Sequence, residues 1–130
     1  MNSPKNILIV RTDRIGDVVL SLPMAELIKK KYPDCRVAYF IRNYTKPLID
    51  GNPFIDEVVI AEESDGEILF KKSLELIKSK NFDTSVIVNP TLKISLMMFL
   101  AGVANRIGTG YRWYSFLFNK KVYEHRKYAE

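Results

Sequence analysis

The stretch "NILIVRTDRIGDVVLSLP" runs from Asn6 to Pro23 and joins a strand pattern to a helix pattern. Its first five residues form a near-continuous apolar run, which is typical of a strand buried on both faces of a parallel sheet. The run stops at "RTDRIGD", which holds two arginines, two aspartates and one glycine. From Gly16 the apolar side chains follow helical spacing until Pro33, and a kink or break is expected at Pro23. Four charges in so short a turn are more than folding requires, so the turn is a candidate ligand site.

The rest of the chain continues the alternation of strands and helices. Strands are predicted at 36–41, 56–61, 84–89 and from residue 105, helices at 65–82 and 90–102, and a short helix within 43–53. The segment after residue 119 has only weak structural signals. This order predicts an α/β fold, a Rossmann-like doubly wound parallel sheet with right-handed crossovers.

Length and composition limit the classes of function. The 130 residues fit one domain, and 47% hydrophobic residues suffice for a packed core. A net charge of +5 suits an acidic ligand or an anionic membrane surface, and no nucleic acid partner is expected. Cys35 is the only cysteine, which favours a reducing cytoplasm, and we assign it no role.

The longest apolar run, at residues 94–104, is shorter than the roughly 20 residues that span a bilayer. We interpret it as a core helix. The sequence shows no lipid-inserting amphipathic helix, although the basic balance is compatible with association at a membrane surface.

Ligands of doubly wound sheets gather beyond the carboxyl ends of the strands. Three loops are expected there: "RTDRIGD", "NPTLK" and "GTGYRW". Gly16 allows close backbone approach, and Asp17 falls at a helix start, where an aspartate is either a cap or a catalytic group. The loop is neither G-x-G-x-x-G nor a Walker A motif, so ordinary NAD or P-loop ATP binding is disfavoured, and we assign no cofactor.

The other two loops supply further candidate substrate contacts. Thr91 and Lys93 lie in "NPTLK", where Lys93 in a first helical turn opposes the helix dipole. Lys93 is therefore either a solvated lysine or part of an anion site built with helix amides. Arg112 either grips an acidic group or stacks on a neighbouring aromatic ring.

The segment "RTDRIGDVVLSLP" resembles the N-terminal signature of the heptosyltransferase family, glycosyltransferase family 9. Gly16, Asp17, Leu22 and Pro23 match that signature at the right spacing. The segments "YPDCRVAYFI" and "NPFIDEVV" stand where the family has its second and third strands, and "RIGTGYRW" resembles its acceptor-side loop. The similarity covers nearly all 130 residues and is looser after Asn81.

This resemblance implies a GT-B glycosyltransferase, with two Rossmann-like domains around a cleft. Residues 1–130 would be the N-terminal, acceptor-side domain, and the C-terminal domain that binds the nucleotide sugar is absent from this chain, so the chain alone is expected to be inactive. The full enzyme would transfer heptose from ADP-heptose to a lipid-linked inner-core lipopolysaccharide sugar, with inversion and without a chelated metal. Asp17 would be the general base, and the same loop would place Arg11 and Arg14 toward an anionic donor or acceptor. Asp13 would stiffen that loop by pairing with Arg14.

Such an enzyme would work in the cytoplasm, peripherally at the inner face of the membrane. Two alternatives stay open on the sequence alone. One is a non-enzymatic Rossmann-like module that binds an acidic sugar or partner, and the other is a related glycosyltransferase that uses another donor.

Overall fold

A computed structural model describes residues 4–12, 15–87, 91–109 and 120–122 of the chain. The helices are α1 (Ile15–Lys31), α2 (Lys46–Ile49), α3 (Phe70–Ser79) and α4 (Leu92–Leu100), and a 3₁₀ turn (Asn43–Thr45) precedes α2. The strands are β1 (Asn6–Val10), β2 (Arg36–Ile41), β3 (Glu57–Ile60), β4 (Glu63–Ser64), β5 (Glu67–Ile68), β6 (Thr84–Ile87), β7 (Asn105–Thr109) and β8 (Lys120–Val122).

Six of these strands form one sheet in the order β3-β2-β1-β6-β7-β8. Every neighbouring pair in it is parallel. From β1 the chain builds outward through β2 and β3, then returns to the other side of β1 with β6. The predicted doubly wound α/β sheet is confirmed, and its point of reversal lies between β1 and β6.

The central strand β1 is buried on both faces, as its continuous apolar run predicts. Leu8 and Val10 join a core cluster with residues of α3 and α4, while Ile7 and Ile9 join a second cluster with residues of α1. Side chains alternate across a strand, so one strand contributes to both layers. This arrangement brings the end of β1 to the middle of the sheet edge.

Helix α1 is continuous through Pro23, so the predicted break does not occur. Pro23 removes one backbone donor. On either side of it, however, Val18 and Ala25 are fully buried, and this packing secures both halves of the helix. The hydroxyl of Ser21 also donates to the carbonyl oxygen of Val18 at 2.7 Å.

The helix predicted at 65–82 begins only at Phe70, and the residues before it form the antiparallel hairpin β4–β5. At the tip, Asp65 and Gly66 have φ values of 53° and 79°. Positive φ at both central residues is the geometry that an Asp-Gly pair favours in a two-residue hairpin. The prediction was wrong because Ile68 and Leu69 also fit helical spacing with the residues that follow.

Two further differences concern the C-terminal half. Strand β8 was not predicted; it pairs with β7, for instance Gly108 with Lys121. Helix α4 is a core helix on one side only, where Ile94, Met97 and Met98 are buried. Within the described residues, no helix combines the length and apolar character needed to span a bilayer.

The amino edge of the sheet holds carboxylates that are internally neutralised. Asp83 accepts hydrogen bonds from the backbone amides of Lys5 and Asn6, at 3.0 and 2.8 Å. Hydrogen bonds from Lys80 and then from Arg36 hold the pKa of Glu57 below its usual value, despite partial burial. These contacts tie neighbouring strands together, and they use the charges of Asp83 and Glu57 within the fold.

Candidate functional site

A cleft opens at the carboxyl edge of the sheet, beside the reversal between β1 and β6. Its volume is about 290 Å³, at the lower end of the sizes typical of small-molecule sites. The lining residues come from the ends of β1 and β2, the β4–β5 hairpin and the start of α4: Val10, Thr12, Arg42, Glu67, Ile68, Thr91, Lys93 and Ile94. The fold therefore places a cavity where doubly wound sheets bind ligands.

Arg42 connects three parts of this cleft. It directly follows β2, and its Nε donates to the carbonyl oxygen of Thr12 at 2.8 Å. Its Nη1 donates to the carboxylate of Glu63 and to the carbonyl oxygen of Gly66, the latter at 3.0 Å. The guanidinium thus links the segment that follows β1 to the β4–β5 hairpin.

The opposite side of the cleft is the N-terminus of α4. Thr91 caps this helix, since its hydroxyl accepts a hydrogen bond from the amide of Ile94 at 3.2 Å. Lys93, the second helical residue, donates to the carbonyl oxygen of Ile68, and its Nζ lies 3.9 Å from a carboxylate oxygen of Glu67. The hairpin therefore holds the Lys93 side chain at the cleft. A lysine that is merely solvated would not need these contacts, so they favour the anion-site interpretation.

These features favour an anionic or hydroxyl-rich ligand. The N-terminus of α4 carries a partial positive charge and amide donors, and Lys93 and Arg42 add two full positive charges at the same cleft. Glu67 contributes one carboxylate, which can accept hydrogen bonds from sugar hydroxyls. Among the described residues, no group of three or more histidine, cysteine, aspartate or glutamate side chains is arranged to hold a metal ion.

The structure brings two of the predicted substrate contacts, Thr91 and Lys93, together at this cleft. Gly16 and Asp17 lie in the first turn of α1, close in sequence to the lining residue Thr12, and only their backbone is described. The position of Asp17 at a helix start is thus confirmed, and its catalytic role stays a prediction. Asp13, Arg14 and Arg112 lie outside the described residues.

Arg11 does not line the cleft. The residue is only 5% exposed, and its positive charge acts on the buried hydroxyl of Tyr39, on the α1 side of the sheet. Strand alternation explains this placement, because Arg11 follows Val10 and continues the face of Ile9. Its backbone amide donates to the carbonyl oxygen of Phe40 at 3.0 Å, so the residue is part of the sheet edge. A contact between Arg11 and substrate stays a prediction.

Sequence reasoning missed Arg42 and the hairpin. A signal for Arg42 was present, because it immediately follows the apolar strand "RVAYFI" and so had to lie at the same sheet edge as the other strand ends. The hairpin also had a signal, the Asp65-Gly66 pair, because Asp-Gly is among the strongest short-range signals of a two-residue hairpin turn.

We expect Arg42→Ala to loosen the hairpin without unfolding the chain. The variant loses hydrogen bonds to Thr12, Glu63 and Gly66, and for a partly exposed group we expect about 1 kcal/mol of local stability to be lost. Amide hydrogen exchange at residues 67–69 should then be about fivefold faster.

Lys46→Ala is the matched control, since Lys46 forms a single exposed ion pair with Asp50 away from the cleft. Equal exchange rates at residues 67–69 in the two variants would show that Arg42 does not hold the hairpin.

The relatives of known name that this chain matches are glycosyltransferases. A Haemophilus influenzae protein classed as a glycosyltransferase by inference is 25% identical over 97% of this chain and 36% of its own length. Lipooligosaccharide heptosyltransferase 2 of the same organism is 26% identical over 79% of this chain and 30% of its own length. Lipopolysaccharide heptosyltransferase 2 of Escherichia coli is 21% identical over 78% and 30%. The chain thus spans about a third of the length of these relatives, and no family model matches it.

Solved structures of glycosyltransferases superpose on this chain over most of its length. A glycosyl transferase of family 9 from Veillonella parvula superposes with a TM-score of 0.78 at 19% identity, over 92% of this chain and 36% of that one. The E. coli ADP-heptose lipopolysaccharide heptosyltransferase II superposes with a TM-score of 0.75 at 21% identity, over 94% and 36%. Both neighbours have a GT-B fold, and this chain has the fold of about a third of each.

Proposed function

We propose that this chain is the N-terminal, acceptor-side domain of an inverting heptosyltransferase. In this proposal the complete enzyme transfers heptose from ADP-heptose to a lipid-linked inner-core sugar of lipopolysaccharide. The observation that carries it is the cleft at the β1–β6 reversal, which is lined by Thr91, Lys93 and Arg42 and by Thr12, five residues before Asp17 in the sequence. The glycosyltransferase relatives support the reaction class.

The cleft suits the acceptor better than a nucleotide. It is small, and it is lined by Lys93, by the N-terminus of α4 and by Arg42, whose charge is partly balanced by Glu63. These donors fit an acidic sugar that carries a carboxylate. The phosphate-binding glycine pattern of a dinucleotide or P-loop site is absent from "RTDRIGD". We therefore assign ADP-heptose to a second, nucleotide-sugar domain outside these 130 residues, with Arg14 reaching its phosphates.

Asp17 is the proposed general base. The acceptor hydroxyl attacks the anomeric carbon on the side opposite the departing ADP, and the Asp17 carboxylate takes its proton as the new C–O bond forms. The electron pair of the broken bond leaves on the phosphate oxygen of ADP. Negative charge beside the reacting carbon also stabilises an oxocarbenium-like transition state.

A helix start in general favours a carboxylate by about 0.3–1 kcal/mol, which makes a carboxylate there a slightly weaker base. This effect is small beside the acidification of the hydroxyl as it attacks a cationic carbon. A late proton transfer therefore tolerates a weak base at this position.

The proposal is tested by acceptor binding to the 130-residue chain. A soluble inner-core oligosaccharide that ends in a carboxylate-bearing sugar should bind and perturb the amide signals of residues 11–12, 42 and 91–94. Lys93→Ala should weaken binding about tenfold, because a charge-assisted hydrogen bond to the carboxylate is lost.

Lys71→Ala serves as the control, since Lys71 is an exposed lysine of the first turn of α3. Transfer of heptose by the 130-residue chain alone would contradict the assignment of the donor to another domain. Binding of the sugar without any turnover once a donor domain is attached would favour a non-enzymatic sugar-binding module. Turnover with a different nucleotide sugar would favour a related glycosyltransferase that uses another donor.

A further inference from the structure

The outward face of α4 is an exposed apolar surface. Leu92, Leu96, Phe99 and Leu100 are 40%, 37%, 48% and 46% exposed, and their spacing places them on one face of the helix. We call these four residues the outer stripe. The opposite face of α4 is occupied by the core contacts of Ile94, Met97 and Met98, so the outer stripe is additional to the apolar surface that the fold buries.

The charges around the outer stripe are positive. Lys93 lies on α4 itself, and Arg106 lies on β7, the strand that follows α4. Arg106 stacks on the ring of Phe99 with its guanidinium carbon 5.1 Å from the ring centre. Helix α3 packs beside α4 on the same face of the sheet and adds three exposed lysines: Lys71, Lys72 and Lys78.

Helix α3 also carries one exposed carboxylate, Glu75, whereas two acidic residues that precede the helix are engaged in ion pairs. Glu62 precedes the β4–β5 hairpin and forms an ion pair with Lys72, and Glu63 begins the hairpin and pairs with Arg42. Glu67 lies beside Lys93 at the N-terminal end of α4. The C-terminal half of the outer stripe, with Arg106, is therefore its most cationic part.

We propose that the outer stripe docks on an anionic lipid surface. The leucines and Phe99 enter the boundary between headgroups and acyl chains, while Arg106 and the α3 lysines face anionic headgroups. This inference rests on the proposed function in one respect: α4 begins at the cleft, so docking by its outer face brings the cleft next to a lipid-linked acceptor.

A lipid surface fits this face better than a second copy of the chain. Four half-exposed side chains offer far less area than the roughly 800 Å² per partner that a stable dimer buries. Two copies meeting through this face would also bring like charges together, whereas an anionic leaflet neutralises them.

The test measures co-sedimentation of the 130-residue chain with lipid vesicles. Binding is expected to vesicles of phosphatidylcholine and phosphatidylglycerol, to weaken with added salt, and to fall sharply on pure phosphatidylcholine. The double variant Leu96→Gln, Leu100→Gln should bind about tenfold or more weakly. The matched control is Leu27→Gln, because Leu27 is 65% exposed on α1, on the other face of the sheet.

A second readout keeps the test independent of variant stability. An environment-sensitive dye on Leu96→Cys should shift its emission to the blue on anionic vesicles, and Cys35 is 2% exposed and so labels slowly. Three results would overturn the proposal: no vesicle binding by the wild type, equal loss for the control variant, or a dimer that the double variant abolishes. Neither readout uses donor or acceptor, so a failure here leaves the proposed transfer reaction untouched.

Discussion

Replacing Asp17 with asparagine is expected to lower the rate of glycosyl transfer by about 10²–10⁴-fold in an enzyme that joins this chain to a nucleotide-sugar domain. Asparagine keeps the size of the side chain and its capacity to cap α1, but it cannot accept the proton of the attacking hydroxyl. The loss should fall on kcat, with the acceptor KM changed by less than about threefold, because the proposed role belongs to the transition state. The measurement is initial-rate kinetics of ADP release with acceptor varied.

The pH profile separates a base from a helix cap. With Asp17 present, the rate should fall as the pH drops below the range in which a carboxylate is charged. The slow residual reaction of the asparagine variant should not show this fall in rate at low pH. Asp34→Asn, in an exposed turn at the opposite edge of the sheet, is the control and should leave the rate unchanged. A turnover in Asp17→Asn within a few-fold of the wild type would exclude the general-base role.

The sequence predicted those strand and helix bounds that depend on interactions between residues close together in the chain. The bounds of β2 and the end of α1 follow from an uninterrupted apolar run and from Pro33, and both agree with the structure. The carboxyl edge of the sheet, where the cleft lies, follows from a doubly wound parallel sheet with right-handed crossovers, whereas the reversal between β1 and β6 was not predicted.

Other features depend on contacts that no short window of sequence contains. Strand β8 is short, and its place in the sheet comes from pairing with β7. The exposure of the outer stripe was also not predictable, because α4 is apolar on both faces and its sequence does not show which face the sheet covers. At the cleft, Lys93 was identified from its position at a helix start, whereas the Arg42 contact with Thr12 joins residues from different strand ends.

The largest loss of stability is expected from Phe40→Ala. Phe40 is fully buried in the middle of the sheet, and its register partners are Val10 on β1 and Val59 on β3. Removing the ring leaves a cavity that the neighbouring strands cannot close, so about 3–5 kcal/mol of the free energy of unfolding should be lost. Domains of this size commonly have about 5–15 kcal/mol in total, so the loss is a large fraction of the stability and the unfolding midpoint should fall sharply.

The matched control for Phe40→Ala is Phe99→Ala, which removes the same ring from a half-exposed site. Its cost should stay below about 1 kcal/mol, since the variant loses mainly the stacking with Arg106. Urea unfolding of both variants measures the difference, and equal midpoints would contradict the assignment of Phe40 to the core.

The result also bears on the cleft, because Val10 and Ile94 line it and belong to the same buried cluster as Phe40. A loss of acceptor binding in Phe40→Ala that tracks its unfolded fraction would show that the cleft depends on this core for its shape.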